Sequence, residues 1–512
     1  MSSSAPTNRN PAAACARASP GSPPRTVTGP GSGSTSPRNH HRRATTESSS
    51  KERPMSGTQA RDVRDIVSTG RMTPSQAAAV LVAIFLNTVD GYDVLVMAFT
   101  STSVSREFGI GPGALGTLLS ASLFGMAIGS IVIAPLADRI GRRTITLGAL
   151  TVVTIFMAAS ALAPSALTLG IFRFLTGIGI GAMLPNLSTF VSEYSTRRWR
   201  EPAVVLNSAG YAVGGTVGGF AAAALIQASG WRSAFWLGAA VGLVALIACW
   251  ALVPESIHYL VERRPADALA KVNRVLAKMR REPVAELPLV SEHERIGIRD
   301  MFTGRLGRTT ILLWVAFFGL MSGFYFANSW TPRLLNQSGL PENLSVIGGV
   351  LISLGGIVGA LTLAALAIKL PAKVLEIAAL IGSALIFLVF AASLSSPTSA
   401  LITAVVVGFF INASVAGMYA VVATRYPPSV RSTGVGWAVG IGRVGAILAP
   451  LGAGAMLAAG WTPRQLFFVF AIPMVIAGIA LLFVGRPVDS SAEVAAEESA
   501  PEPGAPLAPE RQ

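Results

Sequence analysis

The sequence predicts an all-α polytopic membrane protein, with twelve transmembrane helices arranged as two six-helix halves. Three observations carry that prediction. Charged side chains make up 13% of the 512 residues and hydrophobic ones 51%, where an average soluble domain carries about 25% charged residues. Mean hydropathy is +0.56. Apolar runs of roughly 20 residues, the length an α-helix needs to cross a hydrocarbon core, recur along most of the chain between short polar breaks. That recurrence excludes a soluble enzyme.

In chain order the runs predict spans 1 to 12 near 78–101, 114–137, 143–163, 166–191, 203–227, 231–253, 309–330, 344–369, 373–395, 398–423, 431–459 and 464–485. The polar stretch 254–308 then divides a first half, 75–253, from a second, 309–485, and carries a Lys- and Arg-rich amphipathic segment around Asp267–Arg281. Residues 1–60 are rich in Ser, Pro, Gly and Arg, have almost no apolar content, and are expected to be a disordered tail. The Ala-, Glu- and Pro-rich residues 486–512 are expected to be a second one. The first tail has the Arg- and Ser-rich character of an organellar transit peptide but no apolar core of a secretory signal. Its plainer reading is a start assigned too early, because Met55 opens a stretch that reads as an ordinary cytosolic amino terminus.

The formal net charge of +14 is explained by topology rather than by nucleic acid. Eight Lys and Arg against two Glu precede Met55, and most of the remaining excess falls in alternate short loops, which resist translocation. Arg139, Arg142 and Arg143, then Arg197, Arg198 and Arg200, the central stretch, Lys369 with Lys373, and Arg425 with Arg431 share one side. The opposite loops hold only Arg106, Arg232, Arg333 and Arg464, with no charge around Pro164 or across 393–399. The basic side is expected to be cytoplasmic, with both termini there. The two cysteines, Cys15 and Cys249, form no disulfide or metal framework, and no cofactor, metal or catalytic group is expected.

An internal repeat supports the two halves. Leu136-Ala137-Asp138-Arg139-Ile140-Gly141-Arg142-Arg143 after span 2 has a counterpart in Leu366-Ala367-Ile368-Lys369-Leu370-Pro371-Ala372-Lys373 after span 8, in which Ile368 replaces Asp138 and Pro371 replaces Gly141.

Span 1 contains Asn87-Thr88-Val89-Asp90-Gly91-Tyr92-Asp93, two acids three residues apart and so neighbours on one helical face. An ionised carboxylate inside an apolar span is costly, which suits a group that takes up and gives up a proton during a cycle. Proton coupling through Asp90 and Asp93 is the reading, with Asp93 expected to titrate and Asp90 to support it. The alternative is a permanent pair with a buried Arg. Arg173 in span 4 and Arg443 in span 11 are the intramembrane cations. Arg173 is expected to pair with an acid of span 1. For Arg443 two readings stay open: a guanidinium that receives a substrate carboxylate through its planar fork, or a fixed ion pair. Aromatic residues gather at Phe324, Tyr325, Phe326 and Trp330, with Tyr211, Tyr419 and Trp437 elsewhere. Of these, Tyr325, Trp330 and Trp437 join Arg443 as candidates for stacking on a ring substrate, against an interfacial anchoring role. The loop Asp138, Arg139, Gly141, Arg142 and Arg143 reads as a latch, a carboxylate that pairs with arginines in one conformation only. The Gly177-x-Gly179-x-Gly181 and Gly214 to Gly219 runs follow no strand, so they read as helix packing and not as phosphate loops.

Together these residues resemble the aromatic acid:proton symporters of the major facilitator superfamily. The similarity covers about residues 60–488 and rests on Asp90 to Asp93, Leu136 to Arg143, Arg173 to Gly181, Ser192-Glu193-Tyr194, Pro254-Glu255-Ser256, Ser329-Trp330-Thr331-Pro332 and Gly440 to Arg443. The resemblance implies a major facilitator fold in a bacterial inner membrane and proton-driven import of aromatic carboxylate anions. It also implies transport roles for the span 1 acids, the Asp138 loop, Arg173 and Glu193. The chain departs from the pattern at Ile368-Lys369, where an acid is usual, and at Tyr92 and Val94 to Met97. A carrier of another organic anion, or a drug:proton antiporter, is the rival reading. The antiporter is disfavoured because span 5 has no proline inside 203–227.

Overall fold

A computed structural model describes residues 63–287, 302, 304–427 and 430–485. The expected tails, 1–60 and 486–512, lie outside the described residues, as does most of 288–303 in the polar stretch.

Among the described residues, twelve helices are long and apolar enough to cross a membrane: Pro74–Phe108, Pro112–Ile140, Arg142–Ala161, Ala166–Tyr194, Arg200–Ser229, Arg232–Leu252, Leu306–Gln337, Glu342–Ala367, Ala372–Ser393, Pro397–Arg425, Thr433–Ala458 and Pro463–Phe483. These are spans 1 to 12, and the chain is a multi-pass membrane protein. No strand occurs among the described residues. The helices outrun the apolar stretches because their ends are set by capping. Span 1 starts four residues early on a capping box, in which the Thr73 side chain takes the Gln76 N–H and the Gln76 side chain takes the Thr73 N–H. It continues through polar Ser101 to Glu107 and stops only at Gly109, whose φ of 62° is left-handed. Span 12 repeats the start with Thr462, Pro463 and Gln465.

The repeat seen in the loops extends into the packing. In the first half, Gly125 and Gly129 of span 2 lie against the carbonyls of Phe174 and Ile178 in span 4, and Gly177 lies against the carbonyl of Ser122. In the second half, Gly355 and Gly359 of span 8 lie against the carbonyls of Val405 and Phe409 in span 10, and Gly408 lies against that of Ile352. Small residues let helix backbones touch where lipid supplies no hydrophobic drive for association.

The halves meet through spans 1 and 7, 2 and 11, and 5 and 8. At one end they close. Ser103 and Arg106 at the end of span 1 both donate to the Glu342 carboxylate at the start of span 8, Arg106 at 3.1 Å. Gly116 packs on the Pro450 carbonyl and Gly454, and the Ser120 hydroxyl donates to Ile447 O at 2.9 Å. Toward the other end one face of span 11 is uncovered: a Cβ at Gly436 or Gly440 would meet nothing within 4 Å. Two short helices, Ile257–Arg263 and Ala268–Lys278, follow span 6 at that open end.

Candidate functional site

Asp90 and Asp93 are both 1% exposed, yet their surroundings differ. Asp93 Oδ1 accepts from Arg173 Nη1 at 3.0 Å. The guanidinium also donates to the Ser160 hydroxyl at 2.9 Å and to the Thr176 hydroxyl at 2.9 Å, and lies 4.9 Å from the Phe235 ring centroid. Neither carboxylate oxygen of Asp90 has a hydrogen-bond partner. Asp93 is thus the partnered acid of the two, in the buried pair with an Arg that the sequence left open as an alternative.

Asp90 instead faces a polar group between the halves. Gly91 makes this possible, because its missing side chain lets span 1 rest on the Tyr211 carbonyl of span 5. Tyr211 and Asp90 are thereby held within electrostatic reach of each other, and a π-turn at Gly214–Gly218 follows immediately in span 5. Arg443 lies within electrostatic reach of Asp90, Tyr211, Tyr325 and Tyr419, and its Nη1 donates to the Tyr325 hydroxyl at 3.3 Å. The Tyr211 hydroxyl is buried without a partner. Tyr419 is 43% exposed, with its edge against the Phe317 ring at 5.4 Å. One guanidinium, one unpaired carboxyl and three phenols thus converge at mid-membrane depth, where spans 1, 5, 7, 10 and 11 meet.

The other aromatic candidates stand apart. Trp330 is fully buried between spans 7 and 11, and its indole N–H is taken by Pro450 O at 3.2 Å. Trp437 stacks on Trp314 at 5.9 Å, six residues from Arg443 and so about 9 Å along the helix. Tyr211 and Tyr419 are isolated tyrosines in apolar helices and carry no local mark in the sequence that sets them apart from interfacial anchors. The Gly91 contact that brings Tyr211 in is visible only in three dimensions.

The charged loop forms a second assembly, at the open end. Arg142 donates to Asp138 at 3.2 Å and forms an ion pair with Glu193, whose other oxygen accepts from the Ser256 hydroxyl at 2.7 Å. Gly141 takes a φ of 112° and lies against the Glu255 carboxylate, which accepts the Arg143 N–H at 2.9 Å. The Tyr194 hydroxyl donates to Glu255 O at 2.6 Å. Three separate stretches, Asp138 to Arg143, Glu193-Tyr194 and Glu255-Ser256, are thus one network. Arg139 is exposed beside it. Glu193 does not pair with Arg173; each has its own partner at a different depth. No group of His, Cys, Asp and Glu suited to a metal occurs among the described residues.

A family model described as Major Facilitator Superfamily matches residues 79–395 and 350–510. The 4-hydroxybenzoate transporter PcaK of Pseudomonas putida is 32% identical over 432 residues, covering 83% of this chain and 96% of that protein. A gallate transporter of Pseudomonas putida is 33% identical over 433 residues, covering 83% and 95%. Among solved structures, the inward-open xylose transporter XylE from E. coli superposes with a TM-score of 0.65 at 18% identity, covering 82% of this chain and 99% of that one.

Proposed function

We propose, from the premise that this chain belongs to the Major Facilitator Superfamily, that it imports aromatic carboxylate anions together with protons by alternating access. It is a transporter and not an enzyme. The observation that carries the substrate class is the convergence of Arg443, Tyr325, Tyr211, Tyr419 and Asp90 between the halves. A guanidinium offers a planar fork to a carboxylate, and phenol rings offer edges and faces to an aromatic ring. Relatives that carry 4-hydroxybenzoate and gallate support the same class.

Asp90 is the proton site in this reading. An unpaired carboxyl beside the substrate guanidinium can be neutral with the site in one state and ionised in another. Asp93 instead is bound to Arg173 and holds the helices that position Asp90. Import of an anion against an interior-negative potential costs about 2.3 kcal/mol per charge per 100 mV, and more than one accompanying proton reverses the sign of that cost. The Asp138, Arg142 and Glu193 network is the latch of the open end. Positive charge concentrated at that end supports a cytoplasmic location for it and for both termini, in a bacterial inner membrane. The conformation described is then open to the cytoplasm.

Uptake of labelled 4-hydroxybenzoate, gallate, benzoate and xylose by cells expressing the chain tests the reading, with and without a protonophore. Protonophore-sensitive accumulation of the aromatic acids is expected. Uptake of xylose alone, or aromatic uptake indifferent to the protonophore, would overturn it.

A further inference from the structure

A third buried intramembrane acid lies far from the site just described. Glu376 stands in the second turn of span 9, is 0% exposed, and both its carboxylate oxygens lack a hydrogen-bond partner. Its carboxyl lies where a side chain would otherwise leave Gly417 of span 10, next to Leu363 of span 8. The glycine thus makes room for a polar head among apolar helices. Spans 8, 10 and 12 bring no charge to that depth. Glu342 and Arg464 stand at the opposite ends of spans 8 and 12. Arg425 is eight residues below Gly417 on span 10, about 12 Å along the helix. Tyr419, two residues beyond Gly417, turns to Phe317 of span 7. On span 9 itself Lys373 lies one turn below, but its ammonium donates to Leu482 O at 3.1 Å and Val484 O at 2.7 Å, and Arg425 donates to Gly485 O at 2.8 Å. Lys369 is exposed in the preceding loop.

An ionised carboxylate with no donor and no counter-charge is strongly disfavoured in such a place. The sequence repeat gives the position further meaning. The copy of the charged loop in the second half has Ile368 where the first has Asp138, and in the same register Glu376 corresponds to Thr146, which is also buried. The second half has Ile368 at that position of its loop and carries an acid inside the following helix.

We propose that Glu376 is a second proton-binding group of the carrier, located in the C-terminal half at the seam of spans 8, 9 and 10 and independent of Asp90. It holds its proton while Gly417 packs against it. When that seam loosens at the end where Lys373 and Arg425 stand, the proton passes to water and the two cations stabilise the carboxylate left behind. The inference rests on the proton-coupled reading above for its use, but not for its detection.

Infrared difference spectroscopy of the purified full chain in liposomes, titrated with acid and base, tests it. The C=O stretch of an un-ionised carboxylic acid is expected at neutral pH, to disappear on alkalinisation, to be lost in Glu376→Gln and to persist in Asp90→Asn. The pH profile of aromatic acid uptake should also shift in Glu376→Gln. A Glu376→Gln spectrum identical to the parent would overturn the proposal, and so would loss of the band with an unchanged pH profile. Failure of the proton-coupled reading itself would show separately, as protonophore-insensitive uptake by the parent protein.

Discussion

Arg173 holds Asp93 at 3.0 Å with both side chains fully shut off from solvent, while Asp90, one turn earlier on the same helix, accepts no hydrogen bond. The two acids should therefore answer mutation differently. Asp93→Asn leaves a buried guanidinium without its counter-charge, a loss of about 3–5 kcal/mol. It should lower the thermal unfolding temperature in detergent and the amount of folded protein. Asp90→Asn breaks no bond, so its unfolding temperature should stay near that of the parent while proton-driven accumulation disappears. Equal destabilisation by the two changes would remove the distinction.

Arg443→Lys keeps the charge and loses the fork. If the guanidinium receives the substrate carboxylate, the loss of one charge-assisted hydrogen bond, about 1.5–3 kcal/mol, should weaken apparent affinity by roughly 10–150-fold. Concentration dependence of uptake measures this. An unchanged half-saturation concentration would assign Arg443 to packing.

Glu342 is the acceptor for both Ser103 and Arg106 across the closed end. Arg106 is well exposed, so the pair is worth at most about 1 kcal/mol. Glu342→Gln should shift the balance toward opening at that end by only about fivefold or less. A cysteine placed on the buried side of the closure, labelled from outside intact cells, reports the shift. A far larger increase in labelling would show that this contact alone keeps the end shut.

Gly141 combines a φ of 112° with a carboxylate lying where its Cβ would stand. Gly141→Ala should cost about 1–3 kcal/mol in backbone strain alone and displace Glu255 from the Arg143 N–H. Reduced transport together with faster proteolysis of the segment after span 6 is expected. Parent-like behaviour in both would show that the loop rearranges freely.

The architecture was legible because crossing a bilayer imposes a length and a polarity that few other structures share, and each of the twelve predicted runs overlaps one helix. The ends were less so. Ser75, Gln76 and the stretch 101–107 are polar, so hydropathy stops before the capping box and the left-handed Gly109 do. The site was half legible. Charges stand out in apolar helices, which is why Asp90, Asp93, Arg173 and Arg443 could be picked from the sequence. Which charge meets which depends on helix rotation and depth, and spacing along one chain does not encode that. Glu193 illustrates the gap: its partner, Arg142, lies 51 residues away on span 3, and nothing in the spacing points to it. Glu376 drew no notice because it sits close to the basic loop, where an acid looks ordinary.

The glycine contacts inside each half have a mechanical consequence. Gly125 against Phe174 and Gly355 against Val405 join backbone to backbone, with no flexible side chain between to absorb a displacement. Spans 2 and 4, and spans 8 and 10, should therefore move as stiff pairs. Compliance is left to the interface between the halves, where single side chains such as Ser120 and Glu342 make the connection, and to span 9, which meets Gly417 only through the Glu376 side chain. Residues of the proposed site such as Tyr325 or Tyr419, which take no part in these backbone contacts, should then tolerate exchange without loosening the packed pairs.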